Sequence, residues 1–192
     1  MKHELHKAIG DIFTDDLLPG YYILKDSACD DDGQNIPLFC SEEKSNKTEY
    51  CNVDLLIAKS NKIRVIFEIE EADVKPTQIC GKFLTSALSA FYIHDNRDRK
   101  IFRMDDDVLF IQILDTSNLK EGTHREEQWR NIEESIKQII PVKNSRIQEY
   151  KLFYGDVSAF SQNGAKRKEL INYIRKFLSL YNIYKREEKW IP

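Results

Sequence analysis

The amino-acid sequence predicts a mixed α/β fold, in which helices cover a central sheet. Two apolar segments, residues 53–58 and 63–70, flank a short polar turn and are typical of a β-hairpin. Apolar residues then recur at helical spacing over 79–91, and a buried strand at 108–114 follows. A strand, a helix and a second strand in this order favour a right-handed parallel crossover. The helices on either side of this unit would form the covering layers.

The amino-terminal third is predicted to hold one helix and a long loop. Apolar residues at helical spacing indicate a helix over 2–13, which ends before the Leu-Pro-Gly of 18–20. Residues 26–49 are polar and acidic. We therefore expect a loop there, with a short strand at 36–39.

The carboxyl-terminal half is predicted to alternate helices and strands. Pro76 precedes the helix that follows the hairpin, and Thr77 is a candidate cap. A charged connection leads from this helix to the strand at 108–114. The remaining elements are a helix at 129–139 that Pro141 ends, a strand at 150–154 and a last helix at 166–184.

Composition indicates one globular domain over residues 1–192, with its core at about 50–115. The 192 residues are 41% hydrophobic and 32% charged. A net charge of −3 excludes a wholly basic, histone-like binder. The sequence shows neither an apolar run of ~20 residues nor a signal-peptide core. We therefore expect a soluble, cytoplasmic protein with no membrane partner.

Charge is distributed unevenly along the chain. Residues 1–56 carry five lysines and 12 acidic residues, a net charge of −7, whereas the remainder has a net charge of +4. Three basic clusters in that remainder could meet an anionic partner. They are Arg97, Arg99, Lys100 and Arg103; Lys143 and Arg146; and Lys166, Arg167 and Lys168 on the basic last helix. A solvated helix surface is the alternative interpretation of the last cluster.

Acidic side chains on the hairpin are the main functional signal. Glu68 and Glu70 lie two residues apart on an apolar strand, so both point to the same face. A three-residue loop at 60–62 would place Asp54 directly opposite Glu68. A two-residue loop would instead place Asp54 opposite Phe67, on the other face. In the first case the three carboxylates form an all-oxygen cluster that suits Mg²⁺. An exposed edge strand with a ladder of solvated charges is the alternative.

This pattern resembles the PD-(D/E)xK nuclease superfamily. The matching residues are Val53-Asp54, thirteen intervening residues, and Glu68-Ile69-Glu70. The order of predicted elements is also similar to the αβββαβ core of restriction endonucleases. The chain departs from the family pattern at Val53, where a proline is frequent, and at Glu70, where lysine is usual. Restriction endonucleases of the BamHI type carry glutamate at the second position.

The resemblance implies a metal-dependent endonuclease that hydrolyses DNA phosphodiester bonds, of the type II restriction kind. Mg²⁺, with Mn²⁺ as a substitute, would be held by Asp54, Glu68 and Glu70. Lys82 on the following helix would replace the missing lysine as a catalytic residue. The basic clusters would contact DNA, and a homodimer would cut both strands. Three further residues are implied as accessory to the site: Glu4, Lys75 and Gln78.

Two other functions stay open on the sequence. The chain could be a non-catalytic nucleic-acid-binding or regulatory protein on the same scaffold. It could also be an unrelated α/β interaction module, with Trp129 and Trp190 at a protein interface. The absence of a P-loop or a GxGxxG motif argues against a nucleotide cofactor. We expect His3 and His6 to be exposed helix residues.

Overall fold

The computed structural model describes residues 3–71, 74–94, 100–120 and 122–187, with side chains described as far as residue 179. It contains five helices and eight strands in these ranges. The helices are α1 (Glu4–Gly10), α2 (Pro76–Leu88), α3 (Arg125–Ile139), α4 (Val157–Phe160) and α5 (Ala165–Glu187). The strands are β1 (Tyr22–Lys25), β2 (Pro37–Phe39), β3 (Glu49–Asn52), β4 (Leu55–Lys59), β5 (Lys62–Glu70), β6 (Phe91–Ile93), β7 (Ile101–Asp115) and β8 (Ile147–Gly155).

The strands form one open, mixed sheet flanked by helices, which confirms the predicted α/β class. Its central order is β1-β4-β5-β7-β8, and β6, β2 and β3 continue from the first part of β7. The neighbours β1–β4 and β4–β5 are antiparallel, whereas β5–β7 and β7–β8 are parallel. The predicted parallel pairing of the two strands joined by α2 is therefore confirmed. No helix in the described ranges is long and apolar enough to span a membrane.

Alternating side chains of the sheet build two apolar layers. On one face, Ile66 and Phe110 pack with side chains of α2 and α3. On the other face, Phe67 and Ile111 pack with side chains of α1, α4 and α5. The middle segments of β5 and β7 are covered on both faces, so every residue of 63–69 and 108–114 is buried.

Several boundaries differ from the predictions, mainly in polar segments. The strand expected at 36–39 is confirmed as β2, but β1 and β3 were not predicted, because edge strands with mixed polar residues lack a clear period. The helix expected to reach Phe91 ends at Leu88, and Phe91 begins β6. The connection expected before residue 108 is part of β7, which begins at Ile101.

The start of α2 also differs from the prediction. Lys75, not Thr77, is the residue that precedes the first helical turn. The side chain of Gln78 accepts a hydrogen bond of 2.8 Å from the backbone N–H of Lys75. A glutamine that reaches back in this way satisfies a backbone donor at the helix start, so no hydroxyl cap is required.

The hairpin loop has two residues, and an extra residue in β5 corrects the register. Ser60 and Asn61 both have positive φ, 50° and 61°, as a type I′ turn requires. Beside the turn Ala58 pairs with Ile63, but Ile57 pairs with Val65, so Arg64 is unmatched in β4. This β-bulge shifts the pairing by one residue. The expectation of a three-residue loop is wrong, yet the register expected beside Asp54 is present.

Arg64 at the bulge forms a buried ion pair with β7. Its Nη1 lies 2.8 Å from Oδ2 of Asp105, and both residues are only 2% exposed. The guanidinium also faces the ring of Phe177 on α5, at 5.5 Å from the ring centroid. Lys62 lies 3.8 Å from the same aspartate. The pair thus joins the bulge, the adjacent strand and one covering helix.

We expect Arg64→Met to destabilise the fold by about 3–5 kcal/mol, because it leaves Asp105 buried without its guanidinium. Arg146→Met is the matched control. Arg146 also pairs with an aspartate at 2.7 Å, but both side chains are mostly exposed, so its loss should cost no more than about 1 kcal/mol. Urea unfolding measures both variants. Equal losses would contradict the role assigned to the buried pair.

Glu133 attaches α3 to the sheet. Its Oε1 accepts hydrogen bonds from the Lys151 ammonium at 3.0 Å and from the backbone N–H of Leu152 at 3.2 Å. Burial alone would raise the pKa of Glu133, but Lys151 and the Leu152 N–H outweigh it and lower that pKa. An acid with a lowered pKa stabilises the fold above its ordinary titration range and loses that contribution as the pH falls.

Glu133→Gln should therefore destabilise the protein by about 1–2 kcal/mol near neutral pH. The difference from the wild type should shrink between about pH 7 and about pH 3, as the wild-type carboxylate takes up a proton. Glu134→Gln, at the exposed neighbouring position, serves as the control and should show little change. Urea unfolding across this pH range measures the effect, and a difference that grows on acidification would refute it.

Candidate functional site

The bulged hairpin brings Asp54 beside Glu68. Asp54 immediately precedes β4, and its backbone N–H donates to the carbonyl oxygen of Phe67 at 3.1 Å. Its carboxylate Oδ2 accepts a hydrogen bond of 2.5 Å from the backbone N–H of Ile69. Leu55 pairs with Phe67, the residue before Glu68, and the negative charge of Asp54 acts on Glu68. The two acids proposed from the sequence therefore approach one another at the end of the sheet.

Glu68 is fully buried, with 0% of its surface exposed. Burial raises the pKa of Glu68, the negative charge of Asp54 raises it further, and Lys82 opposes both, so that the pKa is about 8. The Oε2 atom contacts Lys82. The Oε1 atom is buried and has no hydrogen-bond partner within the part of the chain that the structure describes. Glu68 thus presents one carboxylate oxygen whose bonding capacity is not used by the protein.

Lys82 of α2 joins two of the acids. Its Nζ lies 2.7 Å from Oε2 of Glu68 and 2.7 Å from Oε1 of Glu70. Burial alone would lower the pKa of Lys82, but the charge and hydrogen bonds of the two carboxylates raise it. Ile79 and Phe83, one turn before and one residue after, are packed in the core. That packing sets the helix orientation and directs the ammonium to the sheet.

Gln112 is a part of this site that sequence reasoning missed. It is the neighbour of Glu68 in the parallel pairing of β5 and β7, and it is fully buried. Its Oε1 accepts a hydrogen bond of 2.6 Å from the hydroxyl of Tyr150, whereas no described residue is a hydrogen-bond partner of its Nε2. A glutamine within the apolar strand 108–114 was the available signal, since buried amides are costly.

His6 and Glu71 are further residues that the sequence did not point to. His6 is 7% exposed, so the expectation of an exposed helix residue is wrong for it. Its Nδ1 and its backbone N–H each lie 2.8 Å from Oε1 of Glu71, and its Nε2 lies 3.7 Å from Oδ1 of Asp54. Burial alone would lower the pKa of His6, but the two carboxylates outweigh it and raise the pKa to about 9.

The three accessory residues implied by the resemblance are all exposed. Glu4 is exposed in the first turn of α1, and the buried side chain of that helix at the acids is His6. Gln78 is exposed and is engaged at the start of α2. Lys75 is exposed and lines an open cleft of about 650 Å³ with Arg125 and His124.

Two of the basic clusters are remote from the acids. Arg103 is in register with Lys62, six residues before Glu68, which corresponds to about 20 Å along a strand. It pairs with Glu42, and Lys100 lies over the ring of Tyr22 at 4.3 Å. Lys143 and Arg146 precede the start of β8, at the same far end. Arg97 and Arg99 lie outside the described residues.

The third basic cluster lies at the same end of the sheet as the acids. Lys166 is 5.6 Å from the ring centroid of Tyr154, and Tyr154 pairs with Leu114, which in turn pairs with Glu70. Arg167 and Lys168 follow in the first turn of α5 and are at least partly exposed. The carboxyl ends of β5, β7 and β8 therefore collect both the acids and positive charge.

Replacing Lys82 tests the charge balance of the site. In Lys82→Met, the carboxylates of Glu68 and Glu70 lose the ammonium between them. We therefore expect the free energy of unfolding to fall by up to about 3 kcal/mol at pH about 9. Solvent screening limits the effect, because the Lys82 side chain is 36% exposed. Adding Glu68→Gln should restore part of this stability, because it removes the buried charge.

The control for this experiment is Lys75→Met, at the exposed position that directly precedes the same helix, with an expected change within about 0.5 kcal/mol. Urea unfolding in the presence of a chelator measures all four proteins. A double variant less stable than Lys82→Met alone would contradict the charge balance described for Glu68 and Lys82.

Comparisons with known proteins provide no relative for this chain. No protein-family model matches it, and neither a curated protein nor a solved structure does so. Its function is therefore inferred from its own residues.

Proposed function

We propose that this chain is a metal-dependent endonuclease that hydrolyses phosphodiester bonds of DNA. The observation that carries the proposal is the proximity of Asp54 and Glu68 at the end of the bulged hairpin. Lys82 forms ion pairs there with both Glu68 and Glu70. Acids from two adjacent strands and a lysine next to them are the groups that such chemistry requires.

The strand connections support a restriction-endonuclease-like core. In chain order, α1 is followed by the antiparallel strands β1, β4 and β5, then by α2 and the parallel strand β7. This is the order αβββαβ, with β2, β3 and β6 as additions. Such an arrangement places the acids of β5 at the carboxyl end of a parallel pair, where ligands of α/β sheets commonly bind.

The acids fit a hard divalent cation. Glu68 Oε1 is buried with no hydrogen-bond partner among the described residues, and the charges of Asp54 and Glu70 both act on Glu68. These three residues would hold Mg²⁺, or Mn²⁺ as a substitute, since carboxylate oxygens suit both ions. When bound, the ion would polarise the scissile phosphate and lower the pKa of the attacking water.

Side chains of the protein would stabilise charge, orient the attacking water and exclude solvent. Lys82 would offset negative charge that develops on the phosphate, because its ammonium already lies among the acids. Glu70, which is partly accessible, would orient the attacking water. Gln112 and Tyr150, beneath Glu68, would keep the strand end rigid and exclude solvent.

Substrate contacts should come from the cationic side chains at the carboxyl ends of the parallel strands. Lys75 and Arg125 line the cleft between the starts of α2 and α3, and Lys166, Arg167 and Lys168 begin α5. Contacts to phosphates supply most of the affinity of such proteins for DNA. A homodimer would present two such sites and so cut both strands.

Cleavage of mixed-sequence duplex DNA with Mg²⁺ or Mn²⁺ tests the proposal. The wild type should cleave, and Glu68→Gln should lose more than about 100-fold in rate, as when one charge-stabilising group is removed from a site. Glu134→Gln, which changes an exposed glutamate of α3, should retain the wild-type rate.

The pattern of products decides between kinds of nuclease. Discrete fragments would indicate a sequence-specific restriction endonuclease, and a smear lost in Glu68→Gln would indicate a nonspecific one. Cleavage that survives in Glu68→Gln, or no cleavage with either ion, would overturn the proposal.

One observation favours a protein-interaction function as the second candidate. An apolar groove of about 700 Å³ runs between α2 and α3, with Ile132, Ile136 and the 58% exposed Ile139 in its wall. Trp129 does not contribute to an interaction surface, because it is buried in the core; Trp190 lies outside the described residues. If the protein does not cleave DNA, this groove is the surface at which the binding of a partner protein should be tested.

A further inference from the structure

The end of β5 and the start of the chain bring three potential metal ligands together on the side of the sheet opposite Lys82. One donor atom each from His3, His6 and Glu71 lies within 4.8 Å of the other two. His3 is exposed, His6 is buried and Glu71 is partly buried. The group is therefore anchored on its inner side and open to solvent at His3.

Two of the three ligands are already held in place. Glu71 Oε1 is 2.8 Å from Nδ1 of His6 and 2.8 Å from its backbone nitrogen. The ring of His3 stands almost perpendicular to that of His6, with centroids 5.2 Å apart. Metal bonds of ~2.1 Å require donors ~3.4 Å apart. The site needs two adjustments: the exposed His3 side chain must rotate, and the Glu71 carboxylate must move away from the His6 ring by about 0.6 Å.

We propose that His3, His6 and Glu71 form a binding site for a borderline divalent cation such as Zn²⁺. Two imidazoles and a carboxylate are a ligand set that zinc accepts, with a fourth position left for water. Imidazole nitrogen disfavours Mg²⁺, which prefers oxygen ligands. This site therefore differs in chemistry from the carboxylates of Asp54, Glu68 and Glu70.

The cation would tie the amino-terminal helix to the end of β5. It would replace the side-chain hydrogen bond between His6 and Glu71 by metal bonds from three side chains. His6 also faces Asp54, at 3.7 Å from Nε2. A bound ion would thus hold α1 in place beside Asp54, on the far side of the sheet end from Lys82.

Isothermal titration calorimetry of the protein with Zn²⁺ tests the site. We expect one ion per chain, and binding at least about tenfold weaker in His3→Ala and in Glu71→Gln. His124→Ala is the matched control: this histidine is also exposed and lies 3.7 Å from an acid, Glu127. Its loss should leave the affinity unchanged. Because His3 is exposed, His3→Ala should fold as the wild type does.

Co²⁺ in place of Zn²⁺ identifies the ligands. Visible absorption of the tetrahedral type without a thiolate charge-transfer band is expected for two imidazoles and a carboxylate. A thiolate band would place the ion on a cysteine and overturn the assignment, as would failure to bind Zn²⁺ or equal affinity in His3→Ala.

The variant Glu68→Gln separates this site from the proposed nuclease. It should retain Zn²⁺ binding while it loses DNA cleavage. Zn²⁺ binding lost in Glu68→Gln but kept in His3→Ala would put the ion among the carboxylates and refute the separate site. Zn²⁺ binding at His3 in a protein that never cleaves DNA would refute the nuclease and leave the zinc site standing.

Discussion

The extra residue at Arg64 is the constraint on which the site depends. In a β-hairpin a slip of one residue exchanges the two faces of a strand. The two-residue turn alone would set Asp54 against Phe67, on the face away from Glu68. The bulge at Arg64 moves the pairing by one residue, and the buried Asp105 holds the bulge in place from β7. The Arg64–Asp105 ion pair, although remote from Asp54 and Glu68, thus lies at the bulge that sets the pairing beside them.

The acids at the sheet end are stabilised from both faces. Lys82 reaches Glu68 and Glu70 from α2, and His6 reaches Asp54 and Glu71 from α1. Burial alone would lower the pKa of Lys82 and of His6, but the carboxylates that each side chain contacts raise it. A buried cluster of acids is tolerable only with such partners. The same arrangement separates two chemical environments, one of oxygen ligands and one with imidazole.

The position of a basic residue along the sequence does not by itself show at which end of the sheet that residue lies. Arg103 lies in the first part of β7 and Arg146 directly precedes β8, whereas Lys166 follows β8 and lies at the carboxyl ends of β5, β7 and β8. The reason is direction: residues before a parallel strand and residues after it lie at opposite ends of the sheet. Arg125, which begins α3 after β7, belongs to the acidic end for the same reason.

The sequence alone determined the α/β class and the parallel relation of β5 and β7, and it proposed Asp54, Glu68, Glu70 and Lys82 as a candidate group, because alternation and helical spacing are local properties. Tertiary structure decided the rest. The hairpin register depends on a bulge held by a distant aspartate. The burial of His6 depends on Glu71, 65 residues away along the chain. Such contacts arise only when helices pack on the sheet, and no local pattern encodes them.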